Sequence, residues 1–104
     1  MKRFYLGVFV AIACNASNAL EVATGRVTYL EPTYLPAVVS FAMDSGSASC
    51  PAGQLLKWQK ADQSNNKAAY ATLMLALSTG KKIRLFFNDG DTTCIGQYLH
   101  LLSD

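Results

Sequence analysis

The sequence predicts a mainly β domain with one helix, in the element order β-β-β-α-β-β. Residues 64–80 hold the one long stretch of good helix formers, and it ends at a glycine. Short runs rich in Val, Ile, Thr and aromatic residues lie on both sides of this stretch. Clusters of Pro, Gly, Ser, Asn and Asp separate the runs, as expected for turns between short strands.

The N-terminus has the features of a secretory leader. Lys2 and Arg3 precede an apolar run, residues 4–13, that is too short to span a bilayer. Ser17 and Ala19 put small residues where signal peptidase requires them, so we predict a signal peptide over residues 1–19. The alternative is lipidation, because residues 11–14 loosely match a bacterial lipoprotein box that ends in Cys14.

Residues 20–104 then form a single domain. Loss of Lys2 and Arg3 with the leader reduces the nine basic residues to seven, which equals the number of acidic residues. A phosphate backbone requires a basic surface, so this neutral balance predicts no nucleic-acid partner.

Three strands are predicted before the helix, over residues 22–30, 37–43 and 54–59. Gly25 lies inside the first of them and predicts a bulge or tight bend at that point. The second and third strands each place apolar residues on one face. These residues are Val39, Phe41 and Met43 in the second strand, and Leu56 and Trp58 in the third.

The helix is predicted over residues 64–79. Ser64, Asn65 and Asn66 are polar residues that can cap its start, and Gly80 can take the left-handed conformation that ends a helix. Helical spacing forms an apolar stripe from Tyr70, Leu73, Met74 and Leu77. A second arc is small or apolar where a solvent-facing side normally carries charge, and it consists of Ala68, Ala71, Thr72 and Leu75. Subunit packing and a second core contact explain this arc equally well.

Two strands are predicted after the helix, over residues 82–87 and 92–102. Asp89 and Gly90 lie between them and are a strong signal for a hairpin. Tyr98, His100 and Leu102 share one face of the last strand. Five strands with a helix between the third and fourth have the order of the OB-fold, so we predict a small five-stranded OB-fold-like barrel. A small α+β sheet with one covering helix has the same order.

Cys50 and Cys94 are the two cysteines that remain after the leader is removed. In an oxidising compartment they are expected to form a disulfide. The bond would close a loop of 44 residues and stabilise the domain by about 4 kcal/mol. His100 is the one histidine and no CxxC pair exists, so the sequence predicts no metal site and no cofactor.

The sequence carries no recognisable catalytic motif. It lacks GxSxG and HExxH, and both remaining cysteines are assigned to the disulfide. His100 has no oriented partner in the sequence pattern and is interpreted as a structural residue. These observations predict a binding protein and not an enzyme.

From about residue 24 to residue 87, the sequence resembles the B subunits of AB5 toxins of the subtilase cytotoxin and typhoid (pertussis-like) toxin group. The resemblance rests on three segments: Thr24-Gly25-Arg26-Val27, Ser49-Cys50 followed by Trp58, and residues 80–87 after the helix. The family has a cysteine in its second strand where this chain has Ala42, so Cys94 replaces it as the partner of Cys50.

The resemblance implies an OB-fold, assembly as a ring of five, binding of sialylated cell-surface glycans, and a toxin A subunit as a partner. Thr24 takes the place of a family Ser that contacts sialic acid, and Phe87 takes the place of a Tyr of the glycan site. Sugar sites combine an aromatic face with fixed hydrogen-bonding groups, and Arg84 would supply a cation for the sialic carboxylate. The predicted glycan site is Thr24, Arg26, Arg84 and Phe87, with Tyr29, Tyr34 and Lys82 as further candidates. The predicted oligomer interface is Ala68, Ala71, Thr72 and Leu75.

Other interpretations of these residues remain open. Phe87 lies on a strand face that suits the core, and Arg84 alternates with Ile83 and Leu85 as an ordinary solvent-facing strand residue does. The main prediction is a secreted or periplasmic glycan-binding subunit that forms a homo-oligomer. The alternative is a small periplasmic or secreted OB-fold protein, tethered if Cys14 is lipidated, that binds a protein partner.

Overall fold

The structure is a computed structural model that describes residues 19–104. Its elements are β1 (Leu20–Glu31), β2 (Val39–Met43), β3 (Leu56–Trp58), α1 (Gln63–Thr79), β4 (Lys82–Asn88) and β5 (Tyr98–Leu101). The predicted element order is confirmed. Apart from Ala19, the predicted leader lies outside the described residues, as does the alternative of lipidation at Cys14. Within residues 19–104, no helix is long and apolar enough to cross a membrane.

The five strands form one sheet in the order β3-β2-β1-β4-β5, and all neighbours are antiparallel. The sheet then closes on itself through a parallel bridge between Lys57 of β3 and Ile95, just before β5. The Lys57 N–H donates to the Cys94 carbonyl at 3.0 Å, and the Gly96 N–H donates to the Lys57 carbonyl at 2.8 Å. This closure confirms the predicted OB-fold-like barrel.

The central strand β1 pairs with β4 through its first half and with β2 through its second half. The register shifts between Val27 and Tyr29, so the bulge lies there and not at Gly25 as predicted. Gly25 pairs regularly with Ile83, but a Cβ at this position would lie 2.4 Å from Asp44 Oδ1. The glycine is therefore required by the close approach of the loop after β2.

The core fills the inside of the barrel with residues from β1, β2, β3, α1 and β4, and Leu99 of β5 packs against it. β4 shows the alternation of a half-buried strand, with its odd-numbered residues inside, whereas β2 is buried along its whole length. The predicted inner residues of β2 and β3 are all buried. The largest fully buried apolar side chains are Phe41, Phe87, Met43, Leu73, Ile83, Leu85 and Val39.

The helix begins one residue earlier than predicted and is capped by Asp62, whose carboxylate accepts from the Ser64 N–H at 2.9 Å. Ser64, Asn65 and Asn66 all lie within the helix, so the predicted N-terminal caps are wrong. The C-terminal prediction is confirmed, because Gly80 has φ 74° and its N–H donates to the Ala76 carbonyl.

The buried face of α1 differs from the predicted stripe. It consists of Asn66, Ala69, Leu73 and Ala76, whereas Met74 and Leu77 are exposed. At 100° per residue the two faces differ by roughly 70° around the helix axis. Ala69 and Ala76 have small side chains that let the helix approach the barrel closely, so large apolar residues are left on the outside.

The last strand is shorter than predicted, because residues 89–97 form a loop. A turn is present at Asp89 and Gly90, and β4 and β5 pair as predicted, but the turn does not join them directly. The loop crosses to the β3 end of the barrel, where Cys94 forms the predicted disulfide with Cys50, with Cα atoms 5.8 Å apart. Asp91 holds this loop by accepting hydrogen bonds from the N–H groups of Thr93 and Ile95.

Candidate functional site

The outer face of the sheet combines charged, hydroxyl and aromatic groups. Alternation along β1 and β4 turns every second side chain outward, and β5 continues the same surface. We define the outer face by the outward residues that meet across these strands: Val22, Thr24, Arg26, Lys82, Arg84, Phe86, Tyr98 and His100.

Strand register arranges the outer face in rows. Thr24 lies opposite Arg84, which lies opposite His100. One row away, Val22 lies opposite Phe86, and Phe86 lies opposite Tyr98. Directly opposite residues in an antiparallel pair have Cβ atoms about 4.5–5.5 Å apart, so each row is a continuous strip of side chains.

Phe86 is the centre of a small aromatic platform. Its ring meets the Tyr98 ring edge-on at 6.1 Å and the His100 ring at 5.1 Å. Tyr98 is 57 % exposed, and Val22 on the other side of Phe86 is 45 % exposed. An exposed aromatic surface beside a cation and a hydroxyl has the composition of a shallow sugar site.

The rows of the outer face carry positive charge and no carboxylate. The cations are Arg26, Lys82 and Arg84. Arg26 is anchored, because its Nε donates to the Gly80 carbonyl at the C-terminal end of α1 at 2.9 Å. Arg84 lies between Thr24 and His100 in its row.

The structure brings together part of the predicted glycan site. Thr24 and Arg84 lie directly opposite each other, and Arg26 lies in the next row. Phe87 is wrong as a site residue, because it is fully buried and points into the barrel, away from Thr24. Its backbone partner is Glu21, and residues with odd numbers on β4 belong to the core. Contrary to the sequence prediction, Thr24 and Phe87 therefore do not belong to one glycan site.

The aromatic residues that do accompany Thr24 and Arg84 are Phe86 and Tyr98, which the sequence reasoning missed. The signal was present for Phe86, because two-residue alternation places it, and not Phe87, on the side of Arg84. The position of Tyr98 opposite Phe86 depends on the register between β4 and β5, which cannot be read from the sequence. His100, interpreted as structural, is exposed on the same surface. Tyr29 and Tyr34 are exposed further along the chain, outside these rows.

The predicted interface arc of α1 is on the outside of the domain. Ala68, Ala71 and Leu75 are exposed, and Thr72 is half-buried at the edge of the helix. The alternative that this arc makes a second core contact is wrong, since none of its residues belongs to the core.

Next to this arc of α1, a cleft of about 170 Å³ is lined by Trp58, Asn65, Ala68, Ala69, Thr72 and Leu99. This cleft is smaller than typical small-molecule pockets of about 300–1,000 Å³.

A carboxylate clamp fixes the end of the barrel near the aromatic platform. Glu21 Oε1 accepts from the Ser47 hydroxyl at 2.7 Å and the Ser49 N–H at 2.9 Å. Its Oε2 accepts from the Ser49 hydroxyl at 2.7 Å and the Gly90 N–H at 2.9 Å. These donors, the Gly90 N–H first among them, lower the pKa of Glu21 from 4.5 to about 2. The clamp joins β1 to the loop before Cys50 and to the turn after β4.

We expect Glu21→Gln to remove a pH-dependent part of the stability. The folded pKa is lower than the unfolded one, so the stabilisation is complete above about pH 4.5 and is lost as the pH falls towards 2. The free energy of unfolding of the wild type, measured with urea, should therefore fall as the pH is lowered across this window. The difference in this free energy between the wild type and the variant should become smaller. Asp89→Asn, which changes an exposed carboxylate of the same turn, is the control. If the difference in free energy of unfolding stays constant from pH 7 to pH 2, the ionised Glu21 does not stabilise the fold through these hydrogen bonds.

Among residues 19–104, no group of three or more His, Cys, Asp or Glu side chains is placed to hold a metal ion. The chain matches no protein-family model, and no curated protein is significantly similar to it in sequence.

Proposed function

We propose that the protein is an exported, non-catalytic glycan-binding subunit, and that its outer face binds a sugar with an acidic group. The observation that carries the proposal is the row Thr24–Arg84–His100 beside the platform of Phe86 and Tyr98. Arg84 binds the carboxylate and Thr24 hydrogen-bonds to it or to a hydroxyl. The C–H face of the sugar packs on the aromatic rings. A sialylated glycan has this combination of groups.

Export is supported by the disulfide, which is compatible with an oxidising compartment. β1 begins at Leu20, so cleavage after Ala19 leaves the whole first strand in the mature protein. Secretion or delivery to the periplasm then agrees with the sequence features of the leader. A toxin A subunit remains the partner that the AB5 resemblance proposes.

Assembly as a homo-oligomer, with five copies as in the AB5 rings, is part of the proposal. Leu75 is 49 % exposed and Met74 is 44 % exposed on a helix of 17 residues whose one charged residue is Lys67. An apolar surface of this kind is typical of an interface. One shallow site binds weakly, since a single hydrogen bond contributes about 0.5–3 kcal/mol, and several linked copies would provide avidity.

The test compares binding of the purified exported protein to sialylated glycans and to the same glycans after removal of sialic acid. We expect binding to the sialylated forms alone. Arg84→Gln should lower the affinity about tenfold through loss of a charge-assisted hydrogen bond. Tyr98→Ala should lower it about threefold to tenfold through loss of aromatic packing.

Lys57→Gln is the matched control, because it removes one positive charge from an exposed position on β3 that belongs to none of the rows of the outer face. It should leave glycan binding unchanged. Equal binding of the protein to sialylated and desialylated glycans would refute the acidic-sugar proposal.

Light scattering on the same preparations gives the mass in solution. A monomer would refute the ring and favour the alternative in which the exposed arc of α1 contacts a different protein.

A further inference from the structure

The outer face carries more positive charge than one acidic sugar requires. Arg26 and Lys82 lie directly opposite each other in the row next to Thr24 and Arg84. Like charges directly opposite in an antiparallel pair are destabilising, whereas an ordinary sheet surface pairs opposite charges. Lys81, next to Lys82 in sequence, is a further exposed cation, and its Nζ donates to the Ser103 carbonyl at 2.9 Å. A cost of this kind on a surface is typical of functional sites.

The guanidinium of this row is held by a neutral group. The guanidinium of Arg26 meets the Gly80 carbonyl, and the negative end of the helix dipole stabilises it there. Asp44 Oδ1 accepts from the Arg26 backbone N–H at 2.8 Å and from the Ser45 hydroxyl. This oxygen lies on the side of β1 to which a Gly25 side chain would point, opposite to the Arg26 side chain. Asp104 lies nearby and accepts from the Lys82 N–H through its backbone oxygen at 3.2 Å. Arg26 is thus held in position independently of any ligand.

We infer that the outer face binds a glycan with two acidic groups. The first is the carboxylate at Arg84 and Thr24, and the second, such as a sulfate, binds at Arg26 and Lys82. Two residues along a strand span about 6.8 Å, so the two anionic positions suit acidic groups on neighbouring parts of one oligosaccharide. This inference rests on the proposed function, since it extends the same site by one row.

The test uses a matched pair of probes, 3′-sialyl-N-acetyllactosamine and the same trisaccharide with a 6-sulfate. We expect the wild type to bind the sulfated probe about threefold to fivefold more tightly, as exposed charge pairs allow. Lys82→Met should reduce this ratio to below about 1.5, and Lys82→Arg should preserve it. Affinity for the sulfated probe should also fall more steeply with salt than affinity for the other probe. Lys82 is chosen because Arg26 also holds the end of the helix.

Lys57→Met serves as the charge-matched control and should keep the wild-type ratio. If the wild type binds both probes equally but still prefers them to the asialo disaccharide, the second acidic position is refuted and the proposed function stands. If Lys82→Met weakens both probes by the same factor, Lys82 belongs to the primary site and the inference is again refuted. If neither probe binds better than the asialo disaccharide, the proposed function itself fails.

Discussion

Replacement of both disulfide cysteines, Cys50→Ala with Cys94→Ala, is expected to lower the free energy of unfolding by about 2–5 kcal/mol. The bond joins residues that are 44 apart in sequence, and the chain-entropy model gives about 4 kcal/mol for a loop of this length. Small domains have free energies of unfolding of about 5–15 kcal/mol, so the loss is a large share of the total. Urea denaturation of the double variant and the wild type measures it.

The disulfide also fixes the closure of the barrel. Cys94 provides the carbonyl that accepts from the Lys57 N–H, so the cross-link lies at the point where β3 meets the chain before β5. Wild type unfolded in the presence of a thiol reductant is the control and should approach the stability of the double variant. The reductant should not change the variant. A loss below about 1 kcal/mol would mean that other contacts close the barrel without the disulfide.

Asn66→Ala is expected to destabilise the fold by about 3 kcal/mol, because it leaves several buried polar groups without partners. Asn66 is fully buried in the first turns of α1. The two N–H groups of its Nδ2 reach three carbonyls, those of Pro36, Ala37 and Lys60 at 2.9, 3.2 and 3.0 Å, so one hydrogen is shared. Its Oδ1 accepts from the Lys60 N–H at 2.8 Å. One side chain therefore connects the helix to the loop after β1 and to the chain after β3.

Two further variants separate hydrogen bonding from other effects. Ser64→Ala changes an exposed position of the same helix and should alter the free energy of unfolding by less than about 0.5 kcal/mol. Asn66→Asp keeps the shape but places carboxylate oxygens against three carbonyls, so it should be at least as destabilising as alanine at pH 7. If Asn66→Ala unfolds at the same urea concentration as Ser64→Ala, the network does not contribute to stability.

Local patterns in the sequence determined the kinds of elements and their order. Helix propensity and Gly80 located α1, alternation located β4, and cysteine count with the predicted export identified the Cys50–Cys94 bond. Leu56 and Trp58 were placed in the core by the same alternation. These features depend on residues close together in sequence or on simple counting, and tertiary contacts did not override them.

Tertiary structure decided how the elements turn and where they meet. The helix buries Ala69 and Ala76 in place of Met74 and Leu77, because close approach to the barrel favours small side chains over the most apolar stripe. Asn66 is buried because its side chain satisfies backbone groups of the loop after β1, about 30 residues away in sequence, as well as those of nearby Lys60. The candidate site depends on register, which sets Thr24, Arg84 and His100 in one row and brings Tyr98 beside Phe86. Register and helix rotation are fixed by contacts between residues far apart in sequence, so no local pattern reveals them.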